Sequence, residues 1–265
     1  MQNLEFQLER ALSPLKRFVP IIARFLLVST FLEDSLRMIL QWEDQKYYFE
    51  YFKHYDWGLT MAYLSINLLG MLLGSFLVII KKKVLFACLL LIALSFLQAV
   101  TYGLLFNLIF MTRLVSLIGG FLLLASDSML DQISSSVFAG LPSLGEREKH
   151  HYISLLGRVL LVFLFITITF TGKFSWLRVI FGIFSGLTCV LVVVGFKARH
   201  SALFLVALLS IFNIILNDYW TLSVKNPNRD FVKYDFFQTL SVIGGLLLLF
   251  STGPGAISLE KSKKL

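Results

Sequence analysis

Several ionisable side chains stand where a bilayer would make them expensive. Arg24, Glu33, Asp34, Arg37, Arg113 and Arg158 interrupt long apolar runs, and Asp235 opens another. An ionisable group inside a membrane span marks a functional or pairing site by default. Glu33 and Arg37 are four residues apart and can pair on one helix face. Asp34 points about 100° away from Glu33 and is free to face a bundle interior. Other polar and aromatic groups fall toward the same end of their runs: Asn67, Gln98, Thr101, Tyr102, Asn107, Asn213, Asn217, Asp218, Tyr219, Trp220 and Gln238. Carboxylates suit an ammonium group, and aromatic walls suit apolar or proline side chains beside it. The residues expected to contact a ligand are therefore Glu33, Asp34, Tyr102, Asn217, Asp218, Tyr219, Trp220 and Asp235. Arg24, Arg37, Arg113 and Arg158 are expected to pair with acids inside the membrane. Two readings stay open at this point. The charges fix helix packing by pairing with one another, or some of them line a ligand cavity. An interfacial belt with helix-capping acids is the plainer alternative, since an acid such as Asp235 favours a helix N-terminus.

Other chemistries lack their residues. Cys88 and Cys189 both lie inside apolar runs, with no CxxC, Cys/His cluster or HExxH, so no metal and no thiol chemistry is expected. His54, His150, His151 and His200 sit in loops or at the ends of spans and assemble no Ser-His-Asp set. His150 and His151 beside Glu146 and Glu148 read as a solvated loop. No nucleotide-binding glycine loop occurs. The chain is expected to be neither an enzyme nor a cofactor protein.

The elements that must position these charges follow from composition. The chain has 265 residues, 57% hydrophobic and only 15% charged, with mean hydropathy +0.78. A soluble domain is about 45–50% apolar and about 25% charged. This excludes an ordinary soluble enzyme, a disordered chain and a disulfide-stapled domain. Roughly 20 apolar residues span a bilayer as a helix, so roughly eight such helices would place about 160 residues in lipid. The spans are expected near 19–40, 58–80, 84–106, 109–126, 153–171, 175–196, 201–220 and 235–251. The net charge of +8 reads as cytosolic flanks and not as nucleic-acid binding. With a cytosolic N-terminus, that side holds thirteen basic residues: Arg10, Lys16, Arg17, Lys81, Lys82, Lys83, Arg147, Lys149, Lys197, Arg199, Lys261, Lys263 and Lys264. The other side holds six: Lys46, Lys53, Lys173, Lys225, Arg229 and Lys233. Both termini are therefore expected in the cytosol, and the aromatic, acidic stretch 41–57 on the opposite side.

The chain also repeats itself. Ala23-Arg24-Phe25-Leu26-Leu27-Val28 resembles Gly157-Arg158-Val159-Leu160-Leu161-Val162, and Leu117-Ile118-Gly119-Gly120 resembles Val242-Ile243-Gly244-Gly245. Lys81–Lys83 corresponds to Lys197–Arg199 between them. The fold class is then all-α: a polytopic membrane protein of about eight transmembrane helices in two tandem four-helix repeats sharing one orientation. The Gly pairs would let helices approach closely. The expected organisation is an amphipathic cytosolic helix over 1–18, a first repeat over 19–126, a cytosolic linker loop over 127–152, a second repeat over 153–251 and a cytosolic tail over 252–265. No cleavable signal peptide is expected, so the first apolar run would double as the insertion signal. The tail places Lys261 fifth and Lys263 third from the end, next to Lys264, which resembles a dilysine signal read by the COPI coat.

Ser29-Thr30-Phe31-Leu32-Glu33-Asp34, Arg37-Met38, Gln41-Trp42, Asn67-Leu68-Leu69-Gly70 and Phe138-Ala139-Gly140-Leu141-Pro142 resemble the surfeit locus protein 4 family. So do Gly157-Arg158-Val159-Leu160-Leu161 and the run from Lys233-Tyr234-Asp235-Phe236-Phe237-Gln238-Thr239 through Gly244-Gly245 to Gly253-Pro254-Gly255. The resemblance covers essentially the whole chain. It implies a cargo receptor of the endoplasmic reticulum that loads soluble secretory proteins into COPII vesicles and returns through COPI. It also implies recognition of a hydrophobic–proline–hydrophobic signal at the cargo N-terminus. The residues named above would then contact cargo. The implied partners are soluble cargo, COPII and COPI coat components and membrane lipids, with a homo-oligomer allowed and nucleic acid excluded. The implied location is the membrane of the endoplasmic reticulum, the intermediate compartment and the early Golgi. The four-helix unit also resembles DoxX-like membrane proteins, which would suggest a redox or assembly subunit. The alternative function is a small-molecule or lipid transporter, for which tandem repeats and intramembrane arginines are the motive.

Overall fold

The computed structural model describes residues 18–136, 144–163, 165, 176–196, 198–223, 226 and 228–253. The N-terminal amphipathic stretch and the tail with Lys261, Lys263 and Lys264 lie outside the described residues, apart from Phe18, Thr252 and Gly253. Among the described residues the secondary structure is helical, with no strand. The helices are α1 (Val19–Leu27), α2 (Ser29–Leu40), α3 (Trp42–Tyr47), α4 (Trp57–Ile80), α5 (Val84–Thr101), α6 (Leu108–Ser136), α7 (Leu144–Leu161), α8 (Trp176–Val194), α9 (Ala198–Leu216) and α10 (Asn228–Thr252). Among the described residues, five stretches are long and apolar enough to cross a membrane: α4, α5, Leu108–Leu130 of α6, α9 and α10. Outward-facing Ile66, Leu69, Phe76, Ile211 and Ile215 remain exposed on α4 and α9. Apolar faces of this kind need lipid rather than water.

The first apolar run divides into α1 and α2 at Val28, which leaves helical geometry at φ −94°, ψ 2°. The stretch 41–57 is not a plain loop. After α3 it forms a π-helical turn, Tyr48–Phe52, that inserts Phe49 fully into the interior. Asp56 then caps α4, its carboxylate accepting from Gly58 N–H at 3.2 Å.

The linker expected as a loop over 127–152 is helical wherever it is described. α6 runs on to Ser136 and α7 begins at Leu144. Glycine and proline within it are confined to 140–145, so nothing stops α6 earlier. His150, read as solvated, is buried on α7, with its Nδ1 3.3 Å from that of His151. Burial holds the His150 imidazole below its ordinary range.

Three glycine crossings set the helix approach. A Cβ added to Gly119 on α6 would stand 2.7 Å from both the Gly157 carbonyl oxygen and the Leu161 nitrogen of α7. A Cβ on Gly244 of α10 would stand 2.6 Å from the Ala23 carbonyl oxygen of α1 and would also meet the Leu27 backbone. Between these seams α6 crosses α10, where a Cβ on Gly245 would be 3.0 Å from the Gly120 Cα. These contacts fall on the positions that the internal sequence matches align. The buried apolar side chains form two clusters. One is drawn from α1, α2, α4, α5 and α6 plus Leu248 of α10. The other is drawn from Leu161, Phe165, α8, α9 and α10 plus Leu123 of α6.

Candidate functional site

Helix α10 runs antiparallel to α2 and is tied to it along its length. Thr30 Oγ1 lies 2.7 Å from Ser241 Oγ, and Ser29 Oγ donates to the Phe237 carbonyl at 3.2 Å. Further along, Lys233 Nζ pairs with Glu33 Oε1 at 3.1 Å, and Gln41 Nε2 donates to Asp230 at 3.1 Å. Small hydroxyl residues at one end of this seam let the backbones approach, and longer polar chains bridge the other. The outcome is a cluster of charges in the bundle interior. Arg37 Nη2 donates to Asp34 Oδ1 at 2.6 Å, and Arg113 of α6 pairs with Asp235 of α10.

The cluster balances three acids (Glu33, Asp34, Asp235) against three bases (Arg37, Lys233, Arg113). Neutrality is what a weakly solvated interior demands of buried charges. The satisfaction is uneven, however. Glu33 and Asp34 are almost fully buried, at 4% and 2% exposure, whereas the Lys233 side chain keeps 26%. Among the described residues neither Glu33 oxygen has a donor in hydrogen-bonding geometry, so Lys233 meets Oε1 as an ion pair alone, and neither amide atom of buried Gln238 finds a partner.

Aromatic walls stand on two sides. Tyr102 donates to Gln45 Oε1 at 2.7 Å and stacks on Tyr48, with ring centroids 5.8 Å apart. Phe49 meets Tyr63 edge-on at 4.9 Å. On the other side Tyr219 and Trp220 pack edge-on against Phe236 of α10, with ring centroids 5.4 and 5.8 Å away. Phe236 and Phe237 are three and four residues beyond Lys233, on its helix face.

The residues singled out from sequence therefore divide. Glu33, Asp34, Asp235, Arg37 and Arg113 come together in the charged cluster. Tyr219 and Trp220 reach its flank through Phe236, while Tyr102 belongs to the wall built on Tyr48 and Phe49. Asn217 is structural: its amide donates to Asn213 Oδ1 at 2.7 Å, and Asn213 in turn donates to the Phe236 carbonyl. Asp218 accepts from Thr221 Oγ1 within its own turn at 3.0 Å. Arg24 donates back to the Pro20 carbonyl, and fully buried Arg158 donates to the Ser154 carbonyl at 3.4 Å. Arg37 takes Asp34, three residues away, and not Glu33 at four. The sequence reading does not single out Lys233 or Tyr63, and it places Gln238 among the polar groups of this end but not among the expected contacts. Lys233 was counted as a flanking charge, although its place two residues before Asp235 was the available signal.

Sequence comparison shows the wider relation: residues 1–265 match the SURF4 family in full. The chain belongs to the SURF4 family. A surfeit locus protein 4 homolog of Drosophila melanogaster is 43% identical over 253 residues, covering 94% of this chain and 91% of its own. The Schizosaccharomyces pombe homolog of the same name is 40% identical over 98% of this chain and 86% of its own. The ER-derived vesicles protein ERV29 of Saccharomyces cerevisiae is 38% identical over 95% of this chain and 79% of its own. No solved structure matches this SURF4-family chain.

Proposed function

We propose that this chain is a cargo receptor of the endoplasmic reticulum membrane. It gathers soluble secretory proteins on the luminal side, enters COPII vesicles bound for the Golgi and returns through COPI. The observation that carries the reading is family membership over the whole chain, with a relative named for vesicles derived from the endoplasmic reticulum. The charged cluster supports it physically. A buried carboxylate without a hydrogen bond among the described residues, flanked by aromatic rings, suits a peptide's α-ammonium and the apolar side chains that follow it. Glu33 is the stronger contact, because Asp34 is already held by Arg37 at 2.6 Å.

The same reading has eight crossings in two tandem four-helix units, with both termini cytosolic. Support comes from the matched glycine seams, Gly119 on α7 and Gly244 on α1, and from two apolar clusters that each borrow one leucine from the other half. The excess of Lys and Arg on one side supports a luminal position for the Glu33–Lys233 cluster.

Quantitative proteomics of the medium, with and without this protein, tests the receptor reading. A defined subset of soluble secreted proteins is expected to fall outside while accumulating in the endoplasmic reticulum. Unchanged secretion of all of them would sink the proposal. The tail has a separate readout. Lys261→Ser with Lys263→Ser is expected to shift the protein toward the Golgi and beyond in fluorescence images. Retention in the endoplasmic reticulum would remove the tail as its address.

A further inference from the structure

Glu33 is held by a group that resembles the ligand proposed for it. The Lys233 side chain ends in a primary ammonium, as a peptide N-terminus does, and it reaches Glu33 Oε1 at 3.1 Å. The other four members of the cluster are paired with one another. Arg37 and Asp34 satisfy one another on α2, and Arg113 and Asp235 join α6 to α10. The cluster is already neutral, so an added cation would leave one positive charge in excess in a poorly solvated place. Binding is balanced only if a resident cation withdraws. Lys233 is the one built to do so. It is a flexible four-carbon chain with a compact charge, unlike the two forked arginines. Its side chain keeps 26% exposure against 2% for the Glu33 side chain, so it has water to withdraw into. Neither Glu33 oxygen is hydrogen-bonded among the described residues, Lys233 reaching Oε1 only as an ion pair, so the carboxylate can take an incoming N–H before Lys233 withdraws.

We infer that Lys233 is an intramolecular competitor: it occupies the Glu33 carboxylate in the empty receptor and is displaced by the α-ammonium of an incoming peptide. This rests on the receptor reading above and adds to it a residue that sets affinity and discriminates free from blocked N-termini. A chain with an acetylated N-terminus offers no cation and cannot expel Lys233. A receptor that is self-occupied most of the time binds weakly when empty and regains closed geometry on release, because Lys233 never leaves the site's neighbourhood.

The experiment uses the purified full chain in lipid nanodiscs and two synthetic peptides that begin Ile-Pro-Val, one with a free α-amine and one N-acetylated. If Lys233 occupies Glu33 about nine-tenths of the time, Lys233→Met is expected to bind the free-amine peptide about tenfold more tightly, since apparent affinity scales with the competent fraction. The acetylated peptide should bind both proteins alike. Lys233→Arg keeps the ion pair and strengthens its grip through a forked guanidinium, so it should bind the free-amine peptide more weakly than wild type. This second variant carries the test even if Lys233→Met, which leaves Glu33 without its cation, fails to fold. Glu33→Gln combined with Lys233→Met should lose the gain. Equal affinity of wild type, Lys233→Met and Lys233→Arg overturns the inference. So does equal binding of the two peptides, which leaves the receptor reading intact. Normal secretion of every soluble protein without this chain overturns the receptor reading itself.

Discussion

Gly244→Ala is expected to destabilise the protein by at least about 1–3 kcal/mol, the usual cost of overpacking a tight interior. In an ordinary helix the same substitution would gain roughly 0.5–1 kcal/mol from reduced backbone entropy, so the predicted sign is reversed by packing alone. The added methyl would press on the Ala23 carbonyl and the Leu27 backbone of α1, and backbone atoms in a packed helix cannot rotate aside as a leucine tip can. Gly119→Ala should behave alike, because its neighbours are the Gly157 carbonyl and the Leu161 nitrogen. Gly186→Ala is the control. A Cβ added there meets nothing within 4 Å among the described residues, and the substitution should leave stability unchanged or slightly higher. Thermal unfolding of the purified protein in detergent or nanodiscs reads all three. Equal midpoints for the Gly244 and Gly186 variants would refute close α1–α10 contact.

Removing one partner of the short Arg37–Asp34 ion pair should cost more. Arg37→Met leaves the Asp34 carboxylate, whose side chain is 3% exposed, without the guanidinium now 2.6 Å away. An uncompensated buried charge costs about 3–5 kcal/mol, whereas replacing both partners by neutral groups can be close to neutral. Arg37→Met is therefore expected to unfold at markedly lower temperature, and adding Asp34→Asn should recover most of the loss. The four proteins make a double-mutant cycle whose coupling energy isolates the pair. If the double variant is no better than Arg37→Met, Asp34 is not the partner that matters. Glu33, as the other acid within helical reach of Arg37, would then be exchanged in its place.

Much of this molecule could be read before any coordinates. The apolar runs around Trp57–Ile80, Val84–Thr101 and Ala198–Leu216 became helices close to the expected limits, because length and uninterrupted hydropathy leave a bilayer segment little other choice. The cost of an intramembrane charge marked Glu33, Asp34, Arg37 and Arg113 as members of one class of site. Two features escaped. Polarity predicts a loop over the linker 127–152, yet over 127–136 polar residues without glycine or proline simply prolong α6. Lys233 was read as a flank, because its partner lies far away in sequence.

What sequence alone determined is the membrane-embedded helical character and the residue types available to a site. Which acid meets which base was decided only by tertiary structure. Spacing brings both Glu33 and Asp34 within reach of Arg37 on one helix, and the i+3 and i+4 arrangements differ too little in energy for sequence to choose. The choice falls to α10. Its glycine lets it lie against α1 at backbone distance, its Ser241 meets Thr30 at 2.7 Å, and in that register Lys233 arrives at Glu33. Arg37 is then left to Asp34, and the Glu33 carboxylate is left with an ion pair but no hydrogen bond among the described residues.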